Sequence, residues 1–268
     1  MSWQPRLVAL DIDGTIADEA GFVPFPLAQK LRQIARAGIP VILVTGRAWL
    51  SSQLVLDQLG LATQYCVCNN GATIVTYPPA QVVREQTFDP ASLMAVLSQH
   101  PTAWAAVEDF GRGYRVSGPE PPNMTYPLHG QIYIETMAQL ASRPVTRIIV
   151  RDGFATADEF KALVGRLDLR GLSHSQGANN WLDIGPSRKD WGLAIVAEAL
   201  GVAQEDILAM GDSYNDVELL AWAGRGVALG EAPDELLAVA DAVTEPFGEG
   251  GTLLELNRWF PPPLKWVS

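Results

Sequence analysis

The stretch Arg6-Leu7-Val8-Ala9-Leu10-Asp11-Ile12-Asp13-Gly14-Thr15 decides how the chain is read: a short aliphatic run stops abruptly on two carboxylates and a glycine. A continuous apolar run bounded by polar residues fits a strand buried on both faces of a parallel sheet, and ligands bind beyond the carboxyl ends of such strands. Carboxylates spaced i, i+2 on extended backbone project to the same side, so Asp11 and Asp13 can address one reacting centre as nucleophile and acid/base. Gly14 lets the backbone turn sharply and bring amides towards an anion. Taken singly, each aspartate is explained as well by an Asx-turn closing a strand.

Working outward, Phe25 to Ala37 has helical spacing through Leu27, Leu31, Ile34 and Ala35 and closes at Gly38. Ile39 to Val44 is a second buried strand, Trp49 to Leu59 a second helix and Tyr65 to Cys68 a third strand, which predicts right-handed crossovers in a doubly wound sheet. From about Pro78 to Gly185 the rhythm changes to helix (Pro90 to Gln99), four strands between Ala103 and Arg151, helix (Thr156 to Leu167) and strands flanking Gly177. The early rhythm returns at Lys189. The expected fold is therefore α/β: a Rossmann-like, doubly wound parallel core over 1–79 and 185–268, with an α+β unit, an antiparallel sheet with helices on one face, inserted at 80–184. Pro78-Pro79 and Gly185-Pro186-Ser187 read as the hinges, and the cluster Gly118 to Asn123 as a loop.

Polar residues follow each buried run. The first strand ends in Asp11 to Thr15, the second in Thr45-Gly46-Arg47, the third in Asn69-Asn70-Gly71, and the strand after the insertion in Gly211-Asp212-Ser213-Tyr214-Asn215-Asp216. Thr45 and Gly46 can give a hydroxyl and an amide to phosphate oxygens. Arg47 reads equally as a site-rim residue or a solvent-facing helix start, and Asn70 as a turn residue whose side chain reaches substrate or the inserted unit. Asp212 alone would pass for a helix N-cap. Asp11, Asp13, Asp212, Asp216 and a phosphate dianion cannot share a site unaided, because like charges ~4 Å apart cost roughly 4 kcal/mol per pair at an effective dielectric near 20. A cation is required, and oxygen ligands that leave room for water and phosphate suit Mg²⁺. Asp11, the main-chain carbonyl of Asp13 and Asp212 are its expected ligands, supported by Asn215 or Asp216.

The 268 residues are 48% hydrophobic, enough for a large core, and 19 basic residues against 30 acidic ones give a net charge of −11. Such a surface repels nucleic acid and anionic membranes, so neither is an expected partner. No apolar stretch reaches the length of a membrane helix and no signal sequence opens the chain, so a cytoplasmic location is expected. Cys66 and Cys68 fall on one face of a strand and read as core filler in a reducing compartment. The apolar, proline-broken tail from Trp259 to Trp266 reads as a lid on the core rather than a partner contact.

The ordered set Asp-x-Asp-Gly-Thr, Thr-Gly-Arg, Asn-Gly-Ala, a lysine after an insertion and Gly-Asp-Ser-x-Asn-Asp resembles the haloacid dehalogenase superfamily, specifically its Cof-type subclass IIB hydrolases. The resemblance spans nearly the whole chain, since Ala240 to Thr244 and Gly248 to Gly251 look like the family's last strand and loop. It implies a Mg²⁺-dependent phosphatase of small phosphorylated metabolites such as sugar phosphates. In that family pattern Asp11 is the nucleophile that becomes an aspartyl-phosphate, and Asp13 protonates the leaving alcohol and then activates water. Thr45 and Lys189 bind the phosphoryl group, Asp212 completes the Mg²⁺ site, Asp216 orients it, and the insertion is the cap that selects the leaving group. Two departures stand out: Lys189 is followed by Asp190 where the family commonly has glycine, with Arg188 beside it as a rival phosphate ligand, and the link from Ile184 to Lys189 is shorter than the family pattern implies. A phosphomutase using the same aspartates and a catalytically silent binding protein are the competing readings. His174, Gln176, Asn179, Asn180 and Trp181 either face substrate or form a polar strand-turn-strand.

Overall fold

A computed structural model describes residues 3–18, 20–121, 127–177 and 180–261. Its elements run β1 (Leu7–Leu10), α1 (Phe25–Arg36), β2 (Val41–Val44), α2 (Trp49–Leu59), β3 (Gln64–Cys68), β4 (Thr73–Tyr77), β5 (Gln81–Glu85), α3 (Ala91–Leu97), β6 (Trp104–Asp109) and β7 (Gly113–Val116). They continue through β8 (Gln131–Ile134), α4 (Met137–Leu140), β9 (Ile148–Arg151), α5 (Ala157–Val164), β10 (Ser173–Gly177), β11 (Trp181–Gly185), α6 (Lys189–Leu200) and β12 (Ile207–Gly211). The last are α7 (Val217–Trp222), β13 (Arg225–Ala228), α8 (Asp234–Leu237), β14 (Ala242–Val243) and α9 (Gly251–Trp259).

Two sheets result. The first has the order β14-β13-β12-β1-β2-β3-β4-β5, parallel from β14 to β3. Alternate residues of its buried strands point to opposite faces. Val8, Leu10, Val41 and Leu43 pack against Leu27 and Leu31 of α1, Leu56 of α2 and Leu256 of α9. Leu7, Ala9, Ile42 and Val44 meet Leu193 and Val196 of α6 and Leu220 of α7. This is the expected doubly wound core, with helices on both faces of the sheet. Cys66 and Cys68 are buried free thiols in the first of these layers, as the sequence implies.

The structure departs from the sequence reading at the first crossing. Pro78-Pro79 lies in the turn of an antiparallel β4–β5 hairpin, and β5 still belongs to the first sheet, so strand pairing there runs on to Glu85, past the expected boundary at 79. β5 was missed because every one of its residues is exposed, which leaves no burial alternation to read.

The inserted sheet has the order β10-β11-β9-β6-β7-β8, and its β7–β8 pair is parallel, not antiparallel as expected. Helices α3, α4 and α5 pack on one face through Leu93, Leu97, Leu140, Phe160 and Leu163. The other face, with Trp104, Tyr114, Val116, Ile149 and Trp181, packs with Ala48 of the first unit and is turned towards the carboxyl ends of its strands.

The tail is held by its first residues: Trp259 meets Trp3 edge-on at 4.8 Å and Phe260 packs against the core. Residues 262 to 266 of that tail, residues 122 and 123 of the proline-rich loop, and Asn179 lie outside the described residues. No helix among the described residues is long and apolar enough to cross a membrane.

Candidate active site

Strands β1 and β12 pair in parallel with Leu10 opposite Met210, and sequence order reverses between them: β2 and β3 lie to one side, β13 and β14 to the other. A crevice opens at such a reversal. Asp11 and Asp212 leave the ends of these two strands, and oxygens of Asp11, Asp212 and Asp216 lie within 4.8 Å of one another. From the first turn of α6, Lys189 places Nζ 2.7 Å from Asp11 Oδ1 and 2.7 Å from Asp216 Oδ1 while remaining 1% exposed. Asp216 is fully buried; its Oδ2 accepts the backbone N–H groups of Asp212 (3.3 Å) and Ser213 (3.2 Å), which fixes the loop carrying Asp212.

Three carboxylates surround one ammonium, leaving an excess of negative charge in a site with little water. Burial, with repulsion from Asp216 and Asp13, pushes the Asp11 carboxyl up to about 7 despite Lys189. Burial and then Asp11 and Asp216 push Asp212 up to about 8. Burial alone would lower Lys189, but Asp11 and Asp216 outweigh it and raise its pKa.

These oxygens fit a small divalent cation, which would relieve the excess. The backbone at Gly14 reinforces the fit: with φ of 67°, a Cβ there would stand 2.4 Å from Asp212 Oδ2. Thr15 Oγ1 donates to Asp212 Oδ1 at 3.1 Å, orienting that carboxylate. Gly14→Ala is expected to weaken activation by Mg²⁺ about tenfold or more, because supporting contacts of this kind typically tune metal affinity by 10–100-fold; an unchanged Mg²⁺ activation curve would contradict this.

Acids whose folded pKa lies above the ordinary 3.8 hold their proton more tightly when folded, so their contribution is present at low pH and lost as pH climbs through about 7 and 8. Metal-free protein is therefore expected to lose melting temperature between about pH 5 and pH 8, and added Mg²⁺ to restore it. A metal-free melting temperature that rises over that interval would refute the arrangement.

Thr45 is buried at the end of β2, where its Oγ1 accepts the Arg47 N–H at 3.0 Å and keeps its own proton to donate. Gly46 faces the side chains of Asn70 and Asn215. Arg47 is turned inward, its Nε donating to Asp13 Oδ2 at 2.9 Å and its Nη2 to Asp13 Oδ1. The Asp13 carboxylate thus lies outside the trio and faces Arg47. Asn215 bonds Asn70 Oδ1 at 3.0 Å, so between the two supporting candidates it is Asp216 that touches the charged cluster. Arg188 points elsewhere, pairing with Asp190 at 2.8 Å and stacking 4.4 Å over Trp191, which leaves Lys189 as the inward cation.

Above the cluster lies a cavity of about 530 Å³, lined by Asp11, Asp13, Arg47 and Asp212 below and by Tyr114, Arg147, Ile149, Trp181 and Asp183 of the inserted sheet above. Arg147 and Asp183 form a buried two-bond pair of 2.8 and 2.7 Å. Gln176 and Trp181 of the strand-turn-strand reach this cavity, whereas His174 lines a neighbouring groove and Asn180 ties the turn to the backbone oxygens of Asp152 and Ala155. Arg147 and Asp183 were not singled out in the sequence, and Thr15 entered only as the last residue of the Asp-x-Asp-Gly-Thr stretch. The available signal was a charged residue breaking an apolar run: Arg147 opens the run to Val150, and Asp183 interrupts Trp181 to Ile184.

A crevice at a sheet reversal, crowded with carboxylates and roofed by an inserted sheet, is the setting of an α/β enzyme. The family model described as haloacid dehalogenase-like hydrolase matches residues 8–255, and the chain belongs to that family. It is 28% identical to the phosphatase YwpJ of Bacillus subtilis, over 89% of this chain and 94% of that protein. It is 27% identical to a phosphoglycolate phosphatase of Methanothermobacter thermautotrophicus, over 91% and 95% of the two chains. Among solved structures, a haloacid dehalogenase-like hydrolase from B. subtilis superposes with a TM-score of 0.81 at 24% identity, covering 94% of this chain and 99% of that one. A subclass IIB sugar phosphatase superposes with a TM-score of 0.79 at 19% identity over 95% and 98%, a likeness of fold.

Proposed function

We propose that the chain is a Mg²⁺-dependent phosphomonoester hydrolase of small phosphorylated metabolites, sugar phosphates foremost, working through an aspartyl-phosphate on Asp11. The observation that carries this reading is the cluster of Asp11, Asp212 and Asp216 around Lys189 at the β1/β12 reversal. In this scheme Asp11, Asp212 and the Asp13 main-chain carbonyl hold Mg²⁺, with Asp216 keeping the Asp212 loop in place. Bound there, Mg²⁺ would offset the carboxylate charge and polarise the phosphoryl group.

Lys189, Thr45 and the amide of Gly46 receive the phosphoryl oxygens. Lys189 engages Asp11 Oδ1, so attack on phosphorus falls to Oδ2. As the bond to the leaving oxygen breaks, Asp13 gives that oxygen its proton, and the resulting Asp13 carboxylate is received by Arg47. Asp13 then takes a proton from water, whose oxygen attacks phosphorus, and the bond to Asp11 breaks to release phosphate.

The inserted unit acts as a cap, and residues through Glu85 and from Pro186 onward serve as the core. Its aromatic and charged roof suits a leaving group with both apolar faces and hydroxyls. The relatives' named substrates, phosphoglycolate among them, define a panel to test together with phosphorylated sugars and nucleotides.

Hydrolysis of p-nitrophenyl phosphate should require Mg²⁺ and stop on chelation; turnover that survives complete removal of divalent ions would sink the proposal. Asp13→Asn should still form phosphoenzyme slowly but release it poorly, reducing steady turnover by roughly 10²–10⁴-fold. Rapid-quench phosphoenzyme measurements check this, and wild-type release rates would exclude Asp13 as the acid/base.

A further inference from the structure

The turn Asn69-Asn70 has features that phosphoryl chemistry does not use. Both residues adopt left-handed backbone, with φ of 52° and 50°, a region that non-glycine residues occupy at a cost unless other contacts hold them there. Asn69 is buried, and its Oδ1 meets no donor, so the side chain is kept for its N–H groups alone. One Nδ2 proton of Asn69 stays within the core, donated to Thr73 Oγ1 of β4 at 3.0 Å, and the other faces the inserted unit. Asn69 Nδ2 donates to Glu108 Oε2 at 2.5 Å, and Asn70 Nδ2 donates to Asp183 Oδ2 at 3.3 Å.

Glu108 comes from β6, and its Oε1 accepts the Trp49 N–H at 3.0 Å, at the start of α2, a helix end that no side chain of its own N-cap satisfies. Its hydrogen-bond partners are uncharged N–H groups, and burial pushes its carboxyl upward. Asp183 is the partner of Arg147 in the cavity roof. On the core side, Asn70 Oδ1 accepts from Asn215, in the loop that carries Asp212. The turn thus joins the roof of the cavity to the loop beneath it.

We propose that Asn69 and Asn70 form the core's receptor for the cap, and that Glu108 and Asp183 are positioning residues whose docking there sets the Arg147 roof over Asp11. Docking rests on the geometry alone; its kinetic consequence rests on the phosphatase reading above. Each carboxylate reaches one asparagine of the doublet, so the two halves of the cap sheet, β6 and β11, are registered at a single point of the core. Substrate enclosed in the cavity then meets a roof held at fixed height above the reacting carboxylate.

The test uses Asn69→Gly, which suits the left-handed backbone, together with Glu108→Gln. The third variant is Asn69→Asp/Glu108→Gln, in which the introduced amide can donate to the introduced carboxylate while still accepting from Trp49. Hydrogen exchange at the Trp49 amide reads docking without reference to activity, and p-nitrophenyl phosphate with Mg²⁺ reads its effect on turnover. Asn69→Gly and Glu108→Gln should each accelerate Trp49 exchange and lower kcat/KM about tenfold, and the double variant should recover most of both. Unchanged exchange in the single variants overturns the latch, and so does faster exchange with wild-type kcat/KM or a double variant no better than Glu108→Gln. Absence of turnover in the wild-type protein would instead sink the phosphatase reading, with the exchange results still deciding the docking.

Discussion

Asp11→Asn is expected to remove hydrolysis of p-nitrophenyl phosphate by at least about 10⁴-fold while leaving the protein folded. An amide nitrogen or oxygen is a poor nucleophile towards phosphorus, and a loss of this size corresponds to roughly 5.5 kcal/mol of transition-state stabilisation. Stability should move the other way. The substitution is nearly isosteric and removes one negative charge from a buried cluster where burial and Asp216 already push the Asp11 carboxyl up to about 7. At pH 8 without metal, the variant should therefore melt no lower than the parent. Wild-type turnover by this variant would refute the nucleophile assignment; a large drop in metal-free melting temperature would refute the electrostatic account of the cluster.

Lys189→Met should lose both properties. Its ammonium is the cation that bridges Asp11 and Asp216, each at 2.7 Å, in a place with almost no solvent. Removing one partner of a buried, hydrogen-bonded charge pair costs about 3–5 kcal/mol, because the carboxylates left behind are unpaired. Turnover should fall with it, since the same nitrogen is the proposed phosphoryl ligand. Added Mg²⁺ should recover part of the stability and little of the activity. Arg188→Ala is the control: its half-exposed pair with Asp190 is worth no more than about 1 kcal/mol. If Arg188→Ala were the more damaging change in a turnover assay, the assignment of the two neighbours would have to be exchanged.

Much of this site was legible because a buried parallel strand writes its own signature. Leu7 to Leu10, Val41 to Val44 and Ile207 to Met210 are apolar without interruption, and the polar residues after them fall at the carboxyl ends where a crevice forms. What the sequence left hidden were relations between distant residues. Nothing local to Gln131–Ile134 tells that this strand runs parallel to Gly113–Val116, because periodicity reports burial and not the identity of a partner. The exposed strand Gln81–Glu85 has no buried face to betray it. Arg47 was ambiguous for the same reason: only the folded chain brings Asp13, 34 positions away, to its guanidinium. Glu108 looked like the unremarkable end of an apolar run until Asn69 and the amide of Trp49 came to meet it.

The central place of β1 also constrains how the molecule is made. One neighbour, β2, follows within forty residues, but the other pairs Leu7 with Ile207, two hundred residues later. At ribosomal speeds of about 5–20 residues per second, that flank of β1 waits on the order of 10–40 s for its partner strand to be synthesised. Throughout that interval an aliphatic edge stands open on the nascent chain, while the inserted segment already holds all the strands of its own sheet. The order of completion during translation is thus insert first and parent sheet last.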